Sequence, residues 1–108
     1  MKRGEVRWYT FELPDKRRPV LILTRNSAIS FLTGITIAPI TSTVRDIPTE
    51  VFLTPEDDGV LAPCAANLDA VQTVQKHKIG ALITTLSTEQ MAQVERALAF
   101  ALGMSRTS

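Results

Sequence analysis

The sequence predicts a small, mainly β fold with appended helices, and three observations carry that prediction. Short runs rich in β-branched and aromatic residues recur over residues 5–74, separated by Pro, Gly, Asn and Asp. One longer stretch with helical periodicity follows Ser87. The chain has 108 residues, 44% of them apolar, which suits one core rather than two. Several short strands with brief turns and a terminal helix fit a strongly bent β-barrel.

Residues 5–11 mix Val6, Trp8, Tyr9 and Phe11 with polar residues and suit a strand. Pro14-Asp15-Lys16 is turn material. Residues 19–24 are a mostly apolar run of strand length, expected at the centre of a sheet. Asn26 or Ser27 is expected to cap a short helical turn reaching Leu32, with Gly34 ending it. Residues 35–40 are a third strand with Pro39 near its exit, and 41–49 a polar loop containing Arg45 and Pro48. Residues 50–53 form a short strand, and 54–59 an acidic turn with Pro55 and Gly59. Residues 66–74 are rich in small and β-branched residues and are expected to form one further strand.

The C-terminal helix has the strongest local signature. Ser87 is followed three residues later by Gln90, a capping-box spacing. Met91, Val94, Leu98 and Leu102 recur at helical intervals beside Ala97 and Ala101, an apolar stripe suited to a core or a dimer face. Gly103 is placed to stop the helix.

Composition narrows the function. A chain this short buries only about two-thirds of its unfolded surface, so dimerisation would stabilise it. Its apolar runs fall well short of the roughly 18 residues that span a bilayer. The charged N-terminus does not resemble a signal peptide. Cys64 is the only cysteine, which excludes an internal disulfide and suggests the cytoplasm. The net charge of +1 argues against a strong nucleic-acid binder, but the charge is unevenly spread. Residues 1–25 hold seven Lys/Arg against three Asp/Glu, whereas residues 26–74 hold one Arg against six acids. A basic N-terminal quarter would meet an anionic ligand if the fold gathered it on one face.

Most catalytic chemistry lacks its parts. One His, one Cys and no paired ligand spacing give no metal site, and no phosphate-binding glycine loop is present. His77 lies in a polar turn, and Cys64 among small apolar neighbours that suggest an inert thiol. RNA cleavage by the 2′-hydroxyl needs none of these, because the substrate brings its own nucleophile. The protein need only orient that hydroxyl and stabilise the five-coordinate phosphorane. Arg18 and Thr41, both expected at strand ends, could supply a phosphate-matching fork and a hydroxyl. From these residues alone, a surface arginine and a loop-capping threonine remain the plainer reading.

Arg3-Gly4-Glu5-Val6, Arg18-Pro19-Val20-Leu21-Ile22-Leu23 and Ala38-Pro39-Ile40-Thr41-Ser42 resemble, in that order, segments of the MazF/PemK toxins of bacterial toxin–antitoxin pairs. The likeness continues through Leu68-Asp69-Ala70-Val71-Gln72-Thr73-Val74 and Ile79-Gly80 to the terminal helix, nearly the whole chain. It implies a homodimer of SH3-like barrels, with residues 1–108 as one toxin domain. It implies a cytoplasmic, sequence-specific endoribonuclease that needs no metal or other cofactor. Such an enzyme cuts single-stranded RNA to leave 2′,3′-cyclic phosphate and 5′-hydroxyl ends, and so stops translation and growth. The family's catalytic arginine falls on Arg18 and its threonine on Thr41. A guanidinium stays protonated, so Arg18 is assigned mainly to phosphorane stabilisation. Candidate RNA contacts are Lys16, Arg17, Thr43, Arg45, Asp69 and Gln72. The partners implied are single-stranded RNA and the C-terminal segment of an antitoxin, sharing one groove, with no membrane. Two other readings stay open: a non-catalytic toxin of the same barrel acting on a protein such as DNA gyrase, and a module that binds RNA without cutting it.

Overall fold

The computed structural model describes residues 1–11 and 16–104, so Pro14 and Asp15 of the expected turn lie outside the described residues. The apolar run after Pro19 becomes the middle of the sheet. Strand β2 (Lys16–Ile22) lies between β1 (Glu5–Phe11) and β3 (Gly34–Thr41), antiparallel to both. It begins three residues earlier than expected, because its first residues extend the ladder to β1 as far as Phe11 opposite Lys16. The C-terminal half of β2 and the middle of β3 are buried on both sides. Leu21, Ala38 and Ile40 face a core shared with Val6, and Val20, Ile22, Ile35 and Ile37 face a second core with Ile29. Burial on both faces explains why the run Val20-Leu21-Ile22-Leu23 shows no alternation.

The remaining strands are β4 (Glu50–Leu53), β5 (Cys64–Asn67), β6 (Gln72–Gln75) and β7 (Ile79–Thr85). The seven strands run β4-β5-β3-β2-β1-β7, with β6 also against β3, and every pairing is antiparallel. The outermost strands meet the same core: Val51 and Leu53 of β4 lie in the cluster that Ile83 of β7 packs against. A short helix α2 (Pro55–Asp58) closes the gap between them, where the Thr84 hydroxyl donates to the Asp58 carbonyl at 2.8 Å. The sheet thus curls into a small barrel. Gly59, at φ 76°, makes the closure possible, since a Cβ there would lie 2.6 Å from Thr84 Oγ1.

Four expectations need correction. Residues 66–74 are not one strand. Asn67 Oδ1 accepts from the Asp69 N–H at 3.0 Å, bending the chain into a 3-10 turn over Leu68–Ala70. The chain then resumes as β6, pairing with the other half of β3. Strand β7 goes unmarked in the sequence reading. Arg25, not Asn26 or Ser27, stands at the N-cap of α1 (Asn26–Ile29), and the Asn26 side-chain Oδ1 accepts from the Arg3 N–H instead. Gly34 opens β3 rather than ending that helix.

Helix α3 (Thr88–Ala101) starts as expected, with Ser87 Oγ accepting from the Gln90 N–H at 3.1 Å. The Gln90 amide does not complete a capping box; it donates to Asp58 Oδ1 and the Phe52 carbonyl, tying α3 to α2 and β4. Val94 and Ala97 are buried, and Met91, Leu98 and Ala101 pack beside them. Leu102 drops out of the stripe, 62% exposed past the last helical residue. Among the described residues, no helix is long and apolar enough to cross a membrane.

Candidate active site

β1, β2 and the segment of residues 60–64 enclose a cleft of about 420 Å³. Trp8, Arg17, Arg18 and Pro19 form one wall, Val60 to Cys64 the other, and Ser42 lies at one end. The strand pairing explains the layout. The β2–β3 ladder ends at Val20 opposite Pro39, where two prolines, Pro19 and Pro39, bring no N–H. Beyond that point the strands part, and the residues two steps further on each strand are Arg18 and Thr41. Continued past its last pair, that register would set Arg18 opposite Thr41, at the two strand ends that separate there.

Of the expected site residues, Arg17 and Arg18 line the cleft, both exposed. Thr41 is half-buried at the end of β3, and its hydroxyl accepts from the Thr43 N–H at 3.1 Å. Thr41, Thr43, Arg45, Asp69 and Gln72 do not line it. The Arg45 guanidinium pairs with Glu50 at 2.8 Å, the Asp69 carboxylate accepts from the Thr49 hydroxyl at 2.6 Å, and Gln72 is exposed on β6 opposite Ile37. Lys16 opens β2, and its side chain lies outside the described part. The sequence reading missed Trp8, Ser42 and the segment 60–64 as cleft residues. A lone tryptophan on a half-buried strand, two residues from Val6, was the available signal for the first.

Two arginines, Arg17 and Arg18, line this cleft. Arg3 pairs with Glu95, Arg7 with Glu5 and Arg45 with Glu50. Among the described residues Arg17 and Arg18 form no ion pair. Arg17 also lies over the Trp8 ring, 4.3 Å from its centre. Cys64 is buried at the far wall. Burial, and then the charge of Asp58, push its thiol above the ordinary value, so it stays protonated and unreactive near neutrality. Among the described residues no three His, Cys, Asp or Glu side chains come together as metal ligands.

Glu5 anchors the cleft's floor strand. Burial alone would raise its carboxyl, but hydrogen bonds from Arg7 and the Lys2 N–H, with the charge of Arg7, outweigh burial and hold it below its ordinary 4.5. A depressed carboxyl stabilises the fold above its unfolded value and loses that contribution as pH falls through the folded one. Glu5→Gln is therefore expected to cost about 1–3 kcal/mol at pH 7, with the gap to wild type narrowing at pH 3. Denaturant midpoints of both proteins at the two pH values check this, and an equal gap at both would refute it.

Residues 2–102 match the family described as PemK-like, MazF-like toxin of type II toxin-antitoxin system. The chain belongs to this family. The endoribonuclease MazF3 of Mycobacterium tuberculosis is 44% identical over 91 residues, 82% of each chain. The solved structure of M. tuberculosis toxin MazF-mt6 superposes with a TM-score of 0.84 at 33% identity, over 94% of this chain and 99% of that one. A mycobacterial endoribonuclease in complex with its cognate antitoxin superposes at 0.85, with 28% identity and 99% of each chain covered. These matches agree with the expected SH3-like, mainly β toxin fold.

Proposed function

We propose that this chain, acting as one domain over residues 1–108, is the toxin of a toxin–antitoxin pair and an endoribonuclease that cuts single-stranded RNA. The observation that carries the reading is the pair of exposed guanidinium groups, Arg17 and Arg18, side by side at one cleft. The family relatives named as endoribonucleases support it.

In this mechanism Arg18 holds the non-bridging oxygens of the scissile phosphate and meets the charge that develops on the phosphorane. The Thr41 hydroxyl, positioned by its bond from the Thr43 N–H, orients the attacking 2′-hydroxyl or the same phosphate. The 2′-oxygen attacks phosphorus, the 5′-oxygen leaves with a proton, and 2′,3′-cyclic phosphate and 5′-hydroxyl ends result. No metal is required, because the nucleophile belongs to the substrate. Lys16, Arg17, Thr43, Arg45, Asp69 and Gln72 are the candidate RNA contacts. The protein works in the cytoplasm as a homodimer, and the C-terminal segment of an antitoxin competes with RNA for the cleft.

The test is purified protein with mixed-sequence RNA in excess EDTA. Discrete fragments support the nuclease. Intact but bound RNA supports a binding module, and RNA neither cut nor bound supports a protein target. Exposed arginines supply much of the attraction, so RNA affinity is also expected to fall as salt rises. A labelled, uncleavable RNA displaced by the antitoxin peptide supports the shared groove; simultaneous, independent binding of both would refute it.

A further inference from the structure

The cleft is only half of what surrounds Trp8 and Arg17. On the opposite side of this stacked pair lies a second hollow of about 190 Å³, bordered by Tyr9, Thr10, Lys78 and Gly80. Trp8 and Arg17 line both spaces, so their stack, 4.3 Å from guanidinium to ring, is a ridge between them. The two sides differ in chemistry. The large cleft presents Arg18, Ser42 and the apolar wall of Val60, Pro63 and Cys64. The small hollow presents a hydroxyl, exposed Lys78 and bare backbone at Gly80. Gly80 lies on β7 where it pairs with β1, and a Cβ there would start 3.4 Å from the Trp8 carbonyl oxygen.

An aromatic ring capped by a guanidinium and flanked by cations is the surface on which single-stranded RNA bases stack. A strand laid across such a ridge must unstack the two bases that straddle it, and each then meets walls of different shape and polarity. Building on the endoribonuclease reading above, we infer that the Trp8–Arg17 ridge is the specificity-determining element of the cleavage reaction. It separates two nucleotide subsites: the base next to the scissile phosphate sits in the cleft beside Arg18, and its neighbour sits in the hollow, with Lys78 holding the phosphate between that nucleotide and the next.

The test maps cut sites on one long transcript of mixed sequence for the wild type, Trp8→Ala, Trp8→Phe and Lys78→Glu, with thermal melts to confirm folding. Folded Trp8→Ala is expected to cut roughly ten- to hundred-fold more slowly, the loss of one base stack, and at a changed set of sites. Trp8→Phe keeps the wild-type sites, and Lys78→Glu raises KM while leaving kcat unchanged. Folded Trp8→Ala cutting the wild-type sites at the same relative rates overturns the inference and leaves the nuclease reading standing. Wild-type protein that leaves the transcript intact overturns both. Trp8 is the only tryptophan, which provides a readout free of any folding defect. A short RNA spanning a mapped cut site, made uncleavable by a 2′-deoxy substitution, is expected to quench wild-type tryptophan emission as it saturates the protein. Unchanged emission at saturation, followed by anisotropy of the labelled RNA, overturns the inference.

Discussion

Arg18→Ala is expected to lower RNA cleavage by on the order of 10²–10³, the usual loss when one preorganised electrostatic stabiliser is removed. The fold should survive the change, because Arg18 is exposed at the start of the sheet's central strand and leaves no cavity. Arg18→Lys should recover only part of the rate. An ammonium restores the charge but not the planar fork that holds two phosphate oxygens at once. Single-turnover cleavage of a defined RNA, with circular dichroism of each variant, decides the matter. A folded Arg18→Ala protein cutting at the wild-type rate removes Arg18 from the mechanism.

Leu21→Ala is expected to cost about 2–5 kcal/mol of folding stability. Leu21 is wholly buried in the core formed with Val6, Leu53 and Val94, and its strand is packed on both faces, which restricts collapse around the missing atoms. A domain of this size is commonly stable by about 5–15 kcal/mol, so the variant should lose a large part of its margin. Equilibrium unfolding in urea should show a lower midpoint with an unchanged slope. A shift equivalent to less than about 0.5 kcal/mol would contradict the packing described.

The two predictions rest on residues that the sequence exposes to different degrees. Leu21 was legible because an unbroken apolar run of strand length has few places to go except a strand covered on both sides. β1, β4 and α3 were legible for similar reasons: aromatic and β-branched content in the first two, and helical spacing after a serine cap in the third. β7 was not, because Gly80 and Ala81 break its pattern and much of it is exposed. The break at Leu68 was hidden because a buried leucine serves a 3-10 turn as well as a strand, and the deciding bond comes from Asn67.

The site divided the same way. Arg18 and Thr41 were marked by the family resemblance rather than by strand position, which alone left a surface arginine and a loop-capping threonine as the plainer reading. The opposite wall was not, since residues 60–64 are remote in sequence from Trp8 and Arg17 and meet them only when the barrel closes through α2. Arg45 read as an available cation, yet Glu50, five residues on, holds its guanidinium. Sequence charge counts cannot separate paired arginines from unpaired ones.

The central claim is that Arg18 and Thr41 promote attack by the RNA's own 2′-hydroxyl, and the chemistry of the product ends tests it most directly. Wild-type protein should be incubated with a defined RNA in excess EDTA, and both new ends identified. The account predicts cleavage that persists in EDTA, with a 2′,3′-cyclic phosphate on one fragment and a 5′-hydroxyl on the other. A 5′-phosphate paired with a 3′-hydroxyl, or cleavage that stops in EDTA and returns with Mg²⁺, would contradict it.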